Sequence, residues 1–294
     1  MTSLSGAVPA SLVREATAMA DAADARAGIR TRPAEPDELD GVMARFAGTW
    51  GEGRGMDRAT LQAIDHAGNT VLVAVPATSL PSVDEPSLGA SRDSGGNPAH
   101  PGPGLPLGAT LGFLGWNGGV HLHSHMNAVD PATRGRGIGV ALKLRQRAVC
   151  LAHGVTEVRW TYDPLIRRNA RMNLVRLGAE VVAFHPDFYG DLRDAISGVD
   201  RSDRFEVRWR LDAHRTARAL ARRPAPEWRA EGGLPLVADF EALRAADPGA
   251  AGRLRDASRE AFAVLGGTAG GGLRPELDAN GDYVFTRDDP DREA

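Results

Sequence analysis

The chain has one cysteine, Cys150, and one lysine, Lys143, in 294 residues. A lone thiol closes no internal disulfide, and its place in a helix-like stretch reads as a structural thiol rather than a nucleophile. Basic charge rests almost wholly on arginine, which beside the many alanines, glycines and prolines reads as compositional bias rather than a recognition surface. A formal charge of −3 gives no bulk attraction for nucleic acid or an anionic membrane, so neither is an expected partner. No apolar run reaches membrane-span length, and residues 1–27 lack a basic region followed by an unbroken apolar core, so a cytoplasmic protein is expected. Aromatics are scarce at 5%, yet 42% hydrophobic residues suffice for a core of ordinary size in one or two domains.

What stands out is residues 121–143. The first half, with His121, His123 and His125, alternates like a strand; Pro131 interrupts it; and Arg134-Gly135-Arg136-Gly137-Ile138-Gly139 runs into apolar residues at helical spacing. Glycines there admit positive φ and let several N–H groups approach an anion, and a helix opening near Gly137 adds its unpaired first-turn amides and the positive end of its dipole. A pyrophosphate suits such a turn. GxGxxG would need glycine at 140, where Val140 stands, and no Gly-Lys-Ser/Thr P-loop is present.

The hexad resembles the pyrophosphate loop of the GNAT superfamily, the acyl-CoA-dependent N-acyltransferases, whose signature is Gln or Arg, two residues, Gly, one residue, then Gly or Ala. Arg134, Gly137 and Gly139 match it, and Val129-Asp130-Pro131 resembles the family's lead-in from strand to loop. The resemblance implies an α/β (α+β) fold: a mixed, mostly antiparallel sheet with a splayed parallel strand pair, flanked by helices.

Periodicity elsewhere agrees with that order. It predicts strands over 29–32, 71–75, 108–116, 155–162, 179–184 and 204–211, and helices over 35–50, 57–66, 138–153 and 169–177. The expected organisation is an N-terminal arm (1–27, amphipathic or frayed), a GNAT-like domain (28–212) with a mobile Pro/Gly/Ser-rich insertion (76–106), a small C-terminal α/β extension (213–287) and an acidic tail (288–294). In the extension, helices over 214–223 and 249–265 and strands over 234–237 and 283–285 are expected, and a packing or homodimerisation role suits it better than nucleic-acid binding.

By the resemblance, acetyl-CoA or another acyl-CoA is the cosubstrate. Arg134, Gly135, Arg136, Gly137, Ile138 and Gly139 would hold its pyrophosphate. The backbone of Asn127, Ala128 and Val129 would hold the pantetheine in the wedge of the splayed pair. Arg136, Lys143 and Arg147 share one helix face, either a contact for the 3′-phosphate or a solvated surface. Asn169 and Asn173, one turn apart, either bond pantetheine amides or cap their helix.

Acyl transfer to an amine needs a polarised thioester carbonyl, a deprotonated amine and a proton for the thiolate. A backbone N–H near Val129 would supply the first. For the base, His121, His123 and His125 are spaced by two and expected on one face; His125, nearest the carbonyl, ranks first, and His121 at the strand entry reads as a sheet histidine. Three ligands 6 to 7 Å apart along one strand would meet a single ion awkwardly, so no metal is expected. Asp163 is the second candidate base, or a turn residue before Pro164. The family's acid, a tyrosine, is Leu174 here, leaving Tyr162 and Tyr189 as substitutes. The expected activity is N-acylation of a small amine; the alternatives are a non-catalytic acyl-CoA-binding module and a protein N-terminal or lysine acetyltransferase.

Overall fold

The computed structural model describes residues 7–51, 56–77, 104–190, 200–265 and 272–291. The expected insertion falls for the most part outside them. Two compact units are present, residues 1–114 with 124–154 and residues 115–123 with 155–294. The strand order is β1-β2-β3-β4-β5-β7-β6, with a separate three-stranded sheet β8-β10-β9. This is the mixed, mostly antiparallel sheet that the resemblance implies.

In the first unit, β1 (Ile29–Pro33), β2 (Thr70–Pro76) and β3 (Gly108–Gly115) pair antiparallel, and β4 (His121–Val129) follows. Helices α2 (Leu39–Trp50) and α3 (Arg58–His66) close one core. Leu39, Val42 and Phe46, at helical spacing, meet Leu61, Val71, Val73, Leu111 and Met126, all buried. Burial of each such side chain stabilises the fold by about 1.5–3 kcal/mol.

Of the two readings of the N-terminal arm, amphipathic or frayed, the structure has the first, an 18-residue helix α1 (Ala10–Ala27). Its buried face is Ala16, Ala20, Ala23 and Ala27, spaced four, three and four, and these small side chains let it lie close along α4 (Ile138–Ala152). The weak apolarity of an alanine stripe is why the segment looks like a loose arm in sequence.

Helix α1 also closes the sheet edge. The Thr31 N–H on edge strand β1 donates to Asp24 Oδ2 (2.8 Å), the Thr31 hydroxyl donates to both carboxylate oxygens (2.9 and 2.8 Å), and Arg145 of α4 donates to Asp24 (3.0 Å), to Asp21 (2.6 Å) and to Thr31 Oγ1 (3.0 Å). A buried carboxylate thus satisfies an edge amide that would otherwise invite another chain. Asp24→Ala strands that amide and half of the Arg145 pair; we expect a loss of about 3 kcal/mol in urea unfolding, with an unchanged slope.

In the second unit, β4 pairs β5 (Glu157–Tyr162) in parallel at Leu122–Val158 and His123–Arg159, and β5 continues antiparallel to β7 (Arg204–Arg210) and on to β6 (Glu180–His185). Helix α5 begins as Arg167–Ala170 and continues as a wider turn over Arg171–Arg176. The extension adds α6 (His214–Leu220), β8 (Gly232–Leu234), α7 (Phe240–Ala246), α8 (Pro248–Phe262), β9 (Arg274–Leu277) and β10 (Tyr283–Thr286). Phe262 and Tyr283 pack on Phe205 of β7 at centroid distances of 4.5 and 5.6 Å. These two rings of the extension are therefore packed within its own unit. The described part of the acidic tail is docked too, Asp291 accepting from Arg210 (2.5 Å) and from the Arg215 N–H (3.1 Å). No described helix is long and apolar enough to cross a membrane.

Candidate functional site

The strand-to-helix turn is pinned at both ends. Asp130, just past β4, accepts from the Ala132 N–H (2.9 Å) and from Arg45 of α2 (3.0 Å), while Arg45 also donates to Pro106 O (2.8 Å). The Ala132 amide, with help from Arg45, holds the Asp130 carboxyl below its ordinary pKa, so the clamp stays ionised. Past the short turn Pro131–Thr133, Gly135 and Gly137 adopt φ of 83° and 89°. That left-handed backbone costs L side chains about 1–2 kcal/mol, which is why glycine occupies both positions. Ile138 is then buried, anchoring the start of α4, while residues 134–137 are exposed. The amides of Ile138, Gly139 and Val140 open the helix without intrahelical acceptors. Exposed glycines at a helix start with Arg134 beside them present main-chain N–H donors and a guanidinium, an arrangement that attracts an anion.

Next to this turn, Asn127 donates to Gly139 O at 3.4 Å, and its Oδ1 is buried with no hydrogen-bond partner. An amide oxygen left so is an acceptor that could take an N–H from a ligand. Val129 lies against Gly139, its Cγ2 being 3.6 Å from where a Cβ there would stand. The main chain of Asn127, Ala128 and Val129 therefore runs directly into the turn.

The three histidines do not share one setting. His121 is buried with Nδ1 2.8 Å from Gly119 O, His123 is half-buried, and His125 is exposed. Burial along β4 alternates from Leu122 to Val129, with Leu122, Ser124, Met126 and Ala128 buried and His123, His125, Asn127 and Val129 less so, the alternation expected from the histidines' spacing of two. The His125 ring lies 5.8 Å from Phe113, tilted by 52°. Crowding by protein atoms lowers its pKa below the ordinary 6.5, so at neutral pH the ring is largely unprotonated.

The expected basic face on α4 is corrected. Lys143 is buried and donates to Ser124 Oγ (2.7 Å), and Arg147 is buried against α1, its Nη1 3.7 Å from Met19 Sδ. Burial lowers the Lys143 pKa to about 7 and raises that of its neighbour Cys150 to about 12. The unfolded lysine takes up a proton at a higher pH than the folded one, so this residue makes stability rise between about pH 7 and 10.5. Lys143→Met should flatten that rise, measured as unfolding midpoints across the window.

The remaining candidates lie in the second unit. Asp163 is bound by both arms of the buried Arg255 (2.8 and 2.8 Å) and also accepts from the Leu165 N–H (2.9 Å). Arg255 is shared with Asp200 (2.6 Å) and stacks on Phe240 at 4.8 Å. The expected base is thus an ion-paired turn residue that fixes α8. Tyr162 is buried 3.1 Å from the Tyr283 hydroxyl, which itself donates to Pro164 O (2.9 Å), so Tyr162 is the donor between them. Burial raises its pKa, and a substrate has no access to it. Tyr189 is exposed, its hydroxyl 3.0 Å from Thr161 Oγ1. Asn173 is turned inward, accepting from Trp160 Nε1 (3.3 Å), so it serves the core rather than a ligand. Asn169 is half-buried, and Leu174 is buried.

The sequence reading missed Arg45, 85 residues before its partner Asp130, for which no local pattern exists, and the orphaned Asn127 oxygen, whose isolation appears only on folding.

No family model and no curated protein matches the chain. Among solved structures it is similar to Ard1 from Thermoplasma volcanium, with 17% identity over 62% of this chain and 96% of the other at a TM-score of 0.41. It is also similar to an N-acetyltransferase from Staphylococcus aureus Mu50, with 12% identity over 63% and 99% at 0.44. A third is Arabidopsis thaliana Naa50 in complex with the bisubstrate analogue CoA-Ac-MVNAL, with 12% identity over 62% and 97% at 0.43. At such identities and TM-scores none of their chemistry transfers to this chain.

Proposed function

We propose that the chain is an acyl-CoA-dependent N-acyltransferase that moves an acetyl or other short acyl group to the primary amine of a small acceptor. The observation that carries this reading is the exposed Gly135–Gly137 turn opening α4 at the end of β4, with the unpartnered Asn127 oxygen beside it. In this reading acyl-CoA supplies the thioester. The first-turn amides of α4 and Arg134 hold the pyrophosphate, Asn127 accepts from a pantetheine amide, and a main-chain N–H near Val129 polarises the carbonyl. His125 takes the proton that the amine loses as its nitrogen bonds the carbonyl carbon. The carbon–sulfur bond then breaks, and the proton passes to the departing sulfur directly or through water.

A non-catalytic acyl-CoA-binding module is the second reading. It draws on the burial of Leu174 and of the Tyr162 hydroxyl, which leaves Tyr189 as the exposed phenol. A protein N-terminus or a lysine as acceptor is the third. An assay that detects released thiol, with acetyl-CoA against amines, amino acids and short peptides, separates the three. Turnover with small amines supports the first, turnover confined to peptides supports the third, and binding without turnover supports the second. The only lysine is buried, so acetyl-lysine found in such a mixture belongs to the acceptor.

A further inference from the structure

Three arginines of the turn and of α4 reach back to α1. Arg136 Nη2 donates to Ala27 O (2.7 Å), a carbonyl of the last turn of α1, Arg145 binds Asp21 and Asp24, and Arg147 packs on Met19. The C-terminal end of a helix carries partial negative charge on carbonyls that lack helical donors, so a guanidinium there is well matched. Gly28 ends α1 with φ of 66°, and a Cβ at that position would stand 3.4 Å from Arg136 Nη2, so the guanidinium lies directly over the glycine. Arg136 is thus directed at α1, although it sits in the middle of the turn proposed to hold the pyrophosphate.

We propose that Arg136 is a positioning residue, which ties the 134–137 turn to the end of α1, so that α1 presets the cofactor site without touching the cofactor. The inference rests on the acyl-CoA reading above and replaces the expectation that Arg136 meets the 3′-phosphate. It gives the N-terminal helix a function: its last residue is the anchor for the turn, and the Asp21–Asp24–Arg145 network fixes the helix against the same α4 that the turn opens.

The test is calorimetric titration of the full chain with coenzyme A and with 3′-dephospho-coenzyme A. A tether acts on the turn and so affects both ligands alike, whereas a direct contact to the 3′-phosphate affects only the first. Arg136→Ala is expected to weaken both by roughly tenfold, the scale of one charge-assisted hydrogen bond, with their ratio unchanged. Arg136→Lys, which keeps a cationic donor, should restore most of the loss. Gly28→Ala, which crowds the guanidinium and strains the cap, should weaken binding alone and add little on top of Arg136→Ala. A loss confined to coenzyme A would overturn the proposal in favour of a 3′-phosphate contact. Unchanged affinity for both ligands in Arg136→Ala, or full additivity with Gly28→Ala, would overturn it as well. Absence of binding by the unaltered chain would instead remove the acyl-CoA reading itself, a result that no variant can mimic.

Discussion

Gly137→Glu abolishes coenzyme A binding while the protein stays folded. Gly137 caps α4 at φ of 89°, and a Cβ built on it meets nothing within 4 Å, so the added side chain has room and the fold bears only the strain of a left-handed residue, about 1–2 kcal/mol. The new carboxylate enters the space proposed for the pyrophosphate, where the helix dipole and the amides of Ile138, Gly139 and Val140 favour a negative charge. It acts as a built-in competitor, with like-charge repulsion added. An affinity loss of about 100-fold or more is expected by calorimetry, with an unfolding midpoint near that of the unaltered protein. Gly137→Ala separates the contributions, since it carries the strain alone and should lose far less.

His125→Ala slows turnover by roughly 10²- to 10⁴-fold and leaves coenzyme A affinity in place. The ring is the exposed imidazole on the strand that leads into the turn, and crowding, with Phe113 among its neighbours, lowers its pKa. The sign follows directly. A base works when deprotonated, so activity falls as the pH drops through the histidine pKa, and that fall should lie below the ordinary 6.5. In the alanine variant the acid-side limb should vanish from kcat/KM. A variant with an unchanged rate and pH profile would remove His125 from the reaction.

Much of the fold was legible in the sequence. Alternation marked strands such as β5 and β7, which bury one face, a compact apolar run marked β2, which is buried on both, and the glycine turn with its following apolar stripe marked the start of α4. The reading was weakest where packing is made by residues far apart. Asp163 looks like an open carboxylate until Arg255, 92 residues later, closes on it. Tyr162 looks like a candidate acid until Tyr283 covers it. Helix α7 is short, and β9 carries Pro275, so neither shows a clear period, and β8 is two glycines and a leucine, Gly232–Leu234. The alternation of β4 was legible, but not that the strand entry would bury His121 while His125 stays exposed. Lys143 and Arg147 read as a polar face because sequence cannot say that α1 and Ser124 would cover them.

The same contrast governs the candidate site. The turn was readable since it depends on local backbone chemistry, positive φ and a helix start, and these are encoded by glycine. Its supports were not, for Arg45 and Ala27 are remote in the chain from Asp130 and Arg136. Proton transfer is the part least encoded by any motif, and the proposed base, His125, is singled out by its place on β4 rather than by a sequence pattern.

The most direct measurement of the central claim is a thermal-shift titration of the purified chain with acetyl-CoA, longer acyl-CoAs and free coenzyme A, run beside Gly137→Glu. A ligand that binds only the folded state raises the midpoint by mass action, by about 2.7 kcal/mol of stability at 100 times its Kd. Saturable stabilisation of the unaltered protein, absent in the variant, is the predicted result. An unmoved midpoint at millimolar ligand, or an equal shift in Gly137→Glu, would contradict it and leave the turn as a connection between a strand and a helix.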